Sequence, residues 1–270
     1  MDLVDYSKER FEAIREEFED FSSKLQIPDM HFIPISALEG DNVVTRSTKT
    51  NWYEGPTLMY LLENIHIGSD HNRIDCRFPI QYVIRPMSNE YHDYRGYAGR
   101  VAGGVFKVGD EVMVLPSGFT SKITGIDTFN GEIDEAFSPM SVTIRIADNI
   151  DISRGDMLVR SSNAPKVSQD IEMMVCWMSR TPLKLNGKYA IKHTTRDARC
   201  IIKEIKYKVD INTLHRLEDD NVLGMNDIGR ITVRTTVPFF YDSYRRNRIT
   251  GSVIIIDEGT NETVGAGMII

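Results

Sequence analysis

The fold of this 270-residue chain is decided by the stretch Gly99-Arg100-Val101-Ala102-Gly103-Gly104-Val105-Phe106-Lys107-Val108-Gly109-Asp110-Glu111-Val112. Its β-prone residues are interrupted by four glycines. Glycine has no Cβ, so it permits tight bends and the close approach of two backbones. The stretch therefore predicts strands joined by sharp corners. Taken alone, it indicates a fold and carries no chemistry.

Short β-prone runs continue on both sides of this stretch, separated by turn sequences such as Asn130-Gly131. Runs at this spacing are typical of closed barrels, and no helical period of useful length follows residue 66. We therefore expect a mainly β protein with two consecutive β-barrels, at residues 70–165 and 167–270. The predicted strands are Phe78–Ile84, Tyr94–Val105, Glu111–Leu115, Ser121–Phe129, Val142–Ala147, Met157–Val159, Ile171–Met178, Ala198–Val209, Gly229–Val237, Ser252–Ile256 and Thr263–Ile269.

Residues 1–66 have a different character and predict the tail of an α/β domain. Apolar residues recur every three or four positions over residues 11–25, which indicates an amphipathic helix. The segment Met30–Ile35 is apolar on both alternating faces, which is typical of a buried parallel strand. Pro56 then occupies the first turn of a short predicted helix over Thr57–Leu62.

The composition argues against several classes of function. The net charge is −7, which disfavours non-specific binding to nucleic acid because that binding requires clustered Lys and Arg. The three cysteines and six histidines have no shared ligand spacing, so we predict no catalytic and no metal-ligating residue. The sequence shows neither a signal peptide nor an apolar run of the ~20 residues that span a bilayer. We expect a cytoplasmic protein that binds no membrane.

Two clusters near the C-terminus each allow two interpretations. Arg245, Arg246 and Arg248 favour a solvated turn over a basic binding patch. The aromatic run Pro238–Tyr241 with Tyr244 favours barrel core over a partner-facing patch, although aromatic residues and Arg are enriched at interface hot spots.

The order of motifs along the chain resembles a known family. Two β-barrels behind an α/β domain resemble the translation-factor GTPases such as elongation factor Tu, and residues 99–112 are similar to the second-domain signature of that superfamily. The closer resemblance is to the GTP-binding subunit of bacterial sulfate adenylyltransferase, and it covers nearly the whole chain. The motifs that carry it lie at residues 94–99, 114–118, 148–156, 247–252 and 261–269.

This resemblance implies a fold and its domains. The barrels at 70–165 and 167–270 would be translation-factor domains II and III. Residues 1–66 would be the C-terminal, α/β remnant of a P-loop GTPase domain, so we expect the chain to be the C-terminal part of such a subunit.

The resemblance also implies a guanine-recognition site. Met1-Asp2 resembles the end of the N-K-x-D motif, whose Asp accepts hydrogen bonds from guanine N1 and N2, a donor pair that adenine lacks. The run Ser36-Ala37-Leu38 resembles the S-A-x loop whose backbone amides meet guanine O6. The implied cofactor-binding residues are Asp2, Ser36, Ala37 and Leu38.

The sequence contains no G-x-x-x-x-G-K-[ST] loop, which would hold the β- and γ-phosphates and Mg²⁺. Phosphoryl transfer depends almost wholly on such positioning. We therefore expect GTP and Mg²⁺ to be cofactors of a full-length subunit, and we expect this chain alone to bind no GTP usefully and to hydrolyse none.

The implied function is sulfate activation. In this family the GTPase subunit couples GTP hydrolysis to the formation of adenylyl sulfate from ATP and sulfate by a catalytic ATP sulfurylase subunit, which is the expected partner. Some members carry a C-terminal adenylylsulfate kinase. The alternative is part of a translation elongation factor that binds aminoacyl-tRNA, against which the acidic charge argues. A third possibility is a binding module with no nucleotide role.

Residues 1–66 also raise a folding question. One strand and two helices cannot bury both faces of that strand. We expect this segment to be loosely ordered, or docked on the barrels or on a second copy.

Overall fold

The computed structural model describes residues 1–25, 27, 29–65, 72–86, 94–218 and 222–270. The chain divides into two compact units, Met1–Ser69 and Asp70–Ile270. No helix in the described ranges combines the length and the apolar character needed to cross a membrane.

The described residues of the first unit form two α-helices and one short 3-10 helix, namely α1 (Lys8–Ser23), α2 (Leu58–Asn64) and Asp2–Val4. Ser7 caps α1, since its hydroxyl accepts a hydrogen bond from the Arg10 amide at 3.2 Å and so satisfies one orphan donor of the first turn. Thr57 is the N-cap residue of α2. The prediction that Pro56 lies in the first turn of this helix was therefore wrong, because Pro56 precedes the cap.

The predicted buried strand over Met30–Ile35 does not form. This segment has no regular secondary structure, and Met30 and His31 are exposed. A strand that is apolar on both faces needs neighbouring strands at its edges and layers above and below it. The described part of the first unit contains no strand that could pair with it.

The second unit is built from antiparallel strands. The described strands are β1 (Arg77–Ile84), β2 (Gly96–Arg100), β3 (Val105–Lys107), β4 (Glu111–Leu115), β5 (Thr120–Thr128), β6 (Gly131–Ile133), β7 (Glu135–Phe137), β8 (Ser141–Ile146), β9 (Met157–Val159), β10 (Lys166–Trp177), β11 (Lys188–His193), β12 (Arg196–Val209), β13 (Arg216–Leu217), β14 (Ile228–Tyr241), β15 (Ser252–Ile256) and β16 (Thr263–Ile269).

Strands β1 to β9 form the first barrel. Its order is β4-β9-β1-β2-β8-β5, and pairing of β4 with β5 closes it. Strand β6 extends the sheet from β5, and β3 pairs separately with β7. Inward-facing side chains fill the barrel, as the alternating burial of β5 illustrates. The largest of them are Phe78, Ile80, Tyr97, Phe106, Ile123, Ile126 and Ile144.

Strands β10 to β16 form the second barrel. Its order is β11-β15-β16-β10-β14-β12, and pairing of β11 with β12 closes it. Trp177, Ile191 and Ile231 are fully buried in its core. The prediction of two consecutive barrels is confirmed, although strands β3, β6, β7, β11 and β13 were not predicted as separate strands.

The glycines of the deciding stretch are required by the backbone. Gly104 has φ +74°, and a Cβ there would lie 2.5 Å from Cα of Cys76. A Cβ on Gly99 would lie 2.4 Å from the carbonyl oxygen of Pro79. Both distances are far shorter than a van der Waals contact, so only glycine fits at these two positions.

An apolar cluster joins the two barrels within the second unit. Leu115, Met157 and Val159 from the first barrel pack with Phe240 from the second. Phe239 and Tyr241 are also buried. The interpretation as core is therefore confirmed for Phe239, Phe240 and Tyr241, whereas Pro238 and Tyr244 are half-buried.

Buried ionic contacts lie beside this cluster. Arg77 donates to both carboxylate oxygens of Asp242 at 2.8 Å, and both side chains are almost fully buried. Thr250 donates to the same carboxylate at 2.7 Å. Arg246 pairs with the buried Asp75 at 2.6 Å, while its own side chain remains 55 % exposed. Arg245, Arg246 and Arg248 are all exposed, as expected for a solvated turn.

Candidate functional site

The side chains of Asp2 and Ser36 meet in the first unit. Ser36 Oγ donates to Asp2 Oδ1 at 2.6 Å, and Ser36 Oγ accepts a hydrogen bond from the Glu39 amide at 3.2 Å. Ser36 is buried, whereas the Asp2 side chain is 29 % exposed. The serine hydroxyl thus fixes the carboxylate and leaves part of it accessible to a ligand.

The Asp2 carboxylate is held in its ionised form. The hydrogen bond from Ser36, assisted by the backbone amide of Asp2, holds the pKa of this carboxyl below its usual value because both donors favour the charged form. An ionised carboxylate is an acceptor only. It can therefore accept two N–H donors from a planar ligand such as guanine.

The loop after Ser36 presents backbone donors. Ala37 and Leu38 are exposed, and within the described ranges their amides have no hydrogen-bond acceptor. Gly40 and Asn42 adopt positive φ angles of 76° and 56°, which turn the chain back on itself. The four residues predicted for a guanine site are therefore close together: Ser36 contacts Asp2, and Ala37 and Leu38 follow directly in the chain.

Asn42 holds this loop and was not predicted. Its side chain is buried and donates to the Pro34 carbonyl and to Thr50 Oγ1, both at 2.8 Å. Its Oδ1 accepts a hydrogen bond from the Ser47 amide at 2.8 Å. Asn tolerates a positive φ and can hydrogen-bond to nearby backbone, but the sequence around Asn42 gave no signal that it would be buried.

A second polar cluster ties the start of the chain to the same loop. Tyr6 donates to Asp41 at 2.5 Å, and Lys49 Nζ lies 3.1 Å from Tyr6 Oη and 3.2 Å from Asp41 Oδ2. The hydrogen bond from Tyr6 lowers the pKa of Asp41, and hydrogen bonds to Tyr6 and Asp41 raise the pKa of Lys49. Trp52 Nε1 also donates to the Tyr6 carbonyl at 3.2 Å. These contacts hold Tyr6, four positions after Asp2 in the chain, against the loop that follows Ser36.

Other titratable groups form no candidate centre. In the described part of the chain no three His, Cys, Asp or Glu side chains are grouped as metal ligands. His193 is buried, lies 2.8 Å from the Thr250 carbonyl and stacks on Phe239. Burial lowers its pKa to about 4, which is the behaviour of a core histidine. Three of the six histidines, His66, His71 and His92, lie outside the described residues.

The residues present fit a guanine base and no more of the nucleotide. Asp2 supplies the acceptor, and the amides of Ala37 and Leu38 could donate to O6. The sequence lacks the phosphate-binding loop, which would supply the lysine and hydroxyl for the phosphates and Mg²⁺.

Comparison with known proteins identifies the family. The bifunctional enzyme CysN/CysC of Mycobacterium tuberculosis is 51 % identical over 271 residues, which cover 100 % of this chain and 44 % of that protein. Sulfate adenylyltransferase subunit 1 of Bacteroides thetaiotaomicron is 48 % identical over 278 residues, which cover 100 % of this chain and 56 % of that protein. The chain belongs to the sulfate adenylyltransferase subunit 1 family. It spans about half the length of the curated relatives it matches.

Three further matches concern the fold. A model of the family described as GTP-eEF1A C-terminal domain-like matches residues 170–270. The crystal structure of Sup35 complexed with GDP has a TM-score of 0.66 and 19 % identity, over 98 % of this chain and 65 % of that one. Elongation factor SelB of Methanococcus maripaludis has a TM-score of 0.60 and 20 % identity, over 96 % and 55 %. At this identity the likeness concerns the fold alone, and it agrees with the predicted translation-factor fold.

Proposed function

We propose that this chain is part of the regulatory GTPase subunit of a sulfate adenylyltransferase. That subunit would couple GTP hydrolysis to the formation of adenylyl sulfate from ATP and sulfate. The observation that carries the proposal is an identity of 45–51 % over the whole chain with proteins named sulfate adenylyltransferase subunit 1 or CysN/CysC. A translation elongation factor that binds aminoacyl-tRNA is not favoured, because the solved translation factors share only about 20 % of their residues with this chain.

In this role Asp2, Ser36, Ala37 and Leu38 recognise the guanine base. The carboxylate of Asp2 accepts from N1 and N2, and the amides of Ala37 and Leu38 meet O6. Ser36 acts on the base indirectly, through Asp2. Its hydrogen bond of 2.6 Å to the carboxylate fixes the orientation and the charge of Asp2. An adenine would leave the carboxylate without a donor pair, and an unpaired acceptor at a binding site is costly.

The two barrels form the scaffold that binds the partner. We keep the proposed domain boundaries, with barrels at 70–165 and 167–270 after a GTPase remnant at 1–66. That partner is the catalytic ATP sulfurylase subunit. The relatives named CysN/CysC support the idea that some full-length members also carry an adenylylsulfate kinase. We place the protein in the cytoplasm because its three cysteines are free, as in reducing compartments.

Alone, this chain should neither bind GTP usefully nor hydrolyse it, because the part of the site that holds the phosphates and Mg²⁺ is not encoded in it. Titration of a fluorescent GTP analogue into the purified chain tests this. We expect no saturable signal, and binding at micromolar concentration would contradict it.

Direct binding to a purified catalytic subunit of a bacterial sulfate adenylyltransferase tests the proposed function. We expect a stoichiometric complex in analytical ultracentrifugation, and no complex with aminoacyl-tRNA. The variant Asp2→Asn serves as a control, because the base site should not contribute to subunit binding. Binding of tRNA with a steep salt dependence, and not of the catalytic subunit, would favour the translation factor instead.

A further inference from the structure

The hairpin between β5 and β6 presents an aromatic side chain to solvent. Phe129 at its tip is fully exposed. The backbone around it is held in place, because Thr128 Oγ1 donates to the Gly131 carbonyl at 2.8 Å and accepts from the Asn130 amide at 3.2 Å. A phenyl ring that an ordered turn holds in water is unfavourable by itself, whereas such rings are common anchors of protein interfaces.

An open groove of about 460 Å³ lies beside this ring, on the outer face of the first barrel. The strand register places one row of outward-facing residues across this face from β1 to β5, namely Tyr82, Ala98, Thr143 and Asp127. Tyr97, next to Ala98 in the chain, faces the barrel core. Because adjacent strands lie about 4.8 Å apart, the row extends over about 15 Å.

Small side chains line the middle of the groove, and aromatic rings lie around it. Ala98, Ser141 and Thr143 belong to its lining, together with the ring of Phe129. Tyr82, in the same row as Ala98, is 67 % exposed. Small residues between exposed rings leave room for an apolar side chain of a partner, which is the arrangement of an interface hot spot.

Two arginines at the edge of this groove have no carboxylate partner. Arg100 is the register neighbour of Ser141, and its Nε donates to the Pro139 carbonyl at 3.2 Å. Arg154 donates to the carbonyl of Gln81, another lining residue, at 3.0 Å. Both side chains are exposed, so both guanidinium groups remain able to bind carboxylates.

The carboxylates on the β5 side of the groove are already paired. Asp127 lies 2.9 Å from Arg145 Nε and accepts a hydrogen bond from Tyr94 Oη at 2.8 Å. Glu132 pairs with the same guanidinium group. The charge left without a partner along this face is therefore the positive charge of Arg100 and Arg154, which is complementary to an acidic partner.

We propose that this aromatic groove binds an acidic, partly apolar segment of the catalytic subunit. The groove is defined by the exposed rings, the small residues between them and the two arginines at its edge, namely Tyr82, Phe129, Ala98, Thr143, Arg100 and Arg154. An apolar side chain of the segment enters between the rings, and its carboxylates pair with the arginines. This inference deepens the proposed function and rests on it for the identity of the partner.

A second copy of this chain and a nucleic acid are poorer occupants. A two-fold contact places the same patch on both copies, so it would bring Arg100 and Arg154 of each copy together without a carboxylate to neutralise them. A nucleic acid would place phosphates near Asp127 and Glu132, in a chain whose net charge is −7. An acidic polypeptide segment satisfies the arginines and covers the rings.

Two serine variants locate the apolar contact. The readout is calorimetric titration with the purified catalytic subunit of a bacterial sulfate adenylyltransferase. Phe129→Ser should weaken the complex on the order of 30-fold, as loss of a hot-spot ring does. Phe119→Ser is the matched control, because Phe119 is also exposed, at 64 %, but lies outside the groove. Thermal unfolding should be the same in both variants, which separates loss of binding from misfolding.

Two charge reversals locate the ionic contact. Arg100→Glu should weaken the complex on the order of 10-fold and make the affinity less sensitive to salt. Arg180→Glu makes the same change at an exposed position of the second unit outside the groove, and should leave both the affinity and its salt dependence unchanged.

Unchanged affinity in Phe129→Ser and Arg100→Glu would overturn the inference and leave the proposed function intact. Equal weakening by Phe129→Ser and Phe119→Ser would overturn it as well. So would a dimer of this chain, or binding of aminoacyl-tRNA, that Phe129→Ser abolishes, because the groove would then have another occupant. The absence of any complex between the unaltered chain and the catalytic subunit would contradict the groove and the proposed function together.

Discussion

Ser36 and Asp2 illustrate how one residue sets the properties of another. The hydroxyl lies 2.6 Å from the carboxylate, and its donated hydrogen bond is the largest cause of the lowered pKa of Asp2. The same hydroxyl accepts from the Glu39 amide, so it couples the carboxylate to the loop that carries Ala37 and Leu38. Ser36 is thus a positioning residue for the proposed base site.

Ser36→Ala removes this donor, so the pKa of Asp2 should rise towards its ordinary value. A titration of the carboxyl carbon of Asp2 by NMR measures it. Ser23→Ala is the matched control, because Ser23 donates only to the Asp20 carbonyl and should leave Asp2 unaffected. An unchanged Asp2 titration in Ser36→Ala would show that the hydrogen bond does not set the charge.

Arg77 and Asp242 form a buried ion pair in the second unit. Each charge needs the other, because a buried charge without its partner is destabilising. Arg77→Met leaves the Asp242 carboxylate buried with only Thr250 as a donor, and loss of one partner of a buried pair costs about 3–5 kcal/mol. Arg234→Met, which breaks an exposed pair with Asp170, should cost less than about 1 kcal/mol. Urea unfolding of both variants measures the difference, and equal costs would contradict this description of the barrel contact.

His193 should make stability depend on pH. Its pKa is lowered from 6.5 to about 4 in the folded state. Below pH 6.5 this histidine is therefore protonated in the unfolded chain while it is still neutral in the folded chain. Stability should therefore fall as pH drops from 6.5 to about 4, by at most about 3 kcal/mol from this group. His193→Gln should remove this part of the pH dependence of the unfolding free energy, and an unaltered profile would contradict it.

At the scale of elements, the corners of the first barrel depend on two different properties of glycine. Gly104 and Gly109 both have positive φ, but only Gly104 faces a neighbour, Cys76, where a Cβ would stand. Gly109→Ala should cost about 1–2 kcal/mol from backbone strain alone. Gly104→Ala should cost a further ~1–3 kcal/mol from the steric clash. Thermal unfolding measures the loss of stability in each variant. Equal losses would mean that the backbone around Gly104 shifts to accommodate the methyl group.

The barrel strands could be predicted because each strand carries its own signal. Alternating residues on β4, β5, β15 and β16 specify which side faces a core, and turn sequences specify where each strand ends. Strand β11 alternates in the same way, as its burial pattern shows, but Lys188, Lys192 and His193 make it basic, which obscures the strand signal in the sequence.

The segment Met30–Ile35 could not be predicted correctly, because its structure depends on residues that do not surround it here. Its composition is typical of a buried strand, yet a strand forms only where a neighbour accepts its hydrogen bonds. The same limit applies to Asn42, whose buried hydrogen bonds to Pro34 and Thr50 arise from the shape of the loop. For the candidate site, sequence indicated Asp2 and Ser36 but not the residues that hold them.

At the scale of the whole molecule, the two units should differ in stability. The barrels have closed sheets and full cores, whereas the first unit buries none of its described large apolar side chains. Hydrogen exchange of the purified chain should therefore be fast over residues 1–65 and slow in the barrel strands. Slow exchange throughout would contradict the expectation that residues 1–66 are loosely ordered.

The central proposal is that this chain is part of a subunit that couples GTP hydrolysis to sulfate activation. The most direct test measures adenylyl sulfate formed from ATP and sulfate by a catalytic subunit, together with a chimaera that joins this chain to the unmatched part of the Bacteroides thetaiotaomicron relative. We predict that GTP raises the yield, and that Asp2→Asn in the chimaera abolishes the rise. A yield that is the same with and without GTP in the assembled complex would contradict the claim.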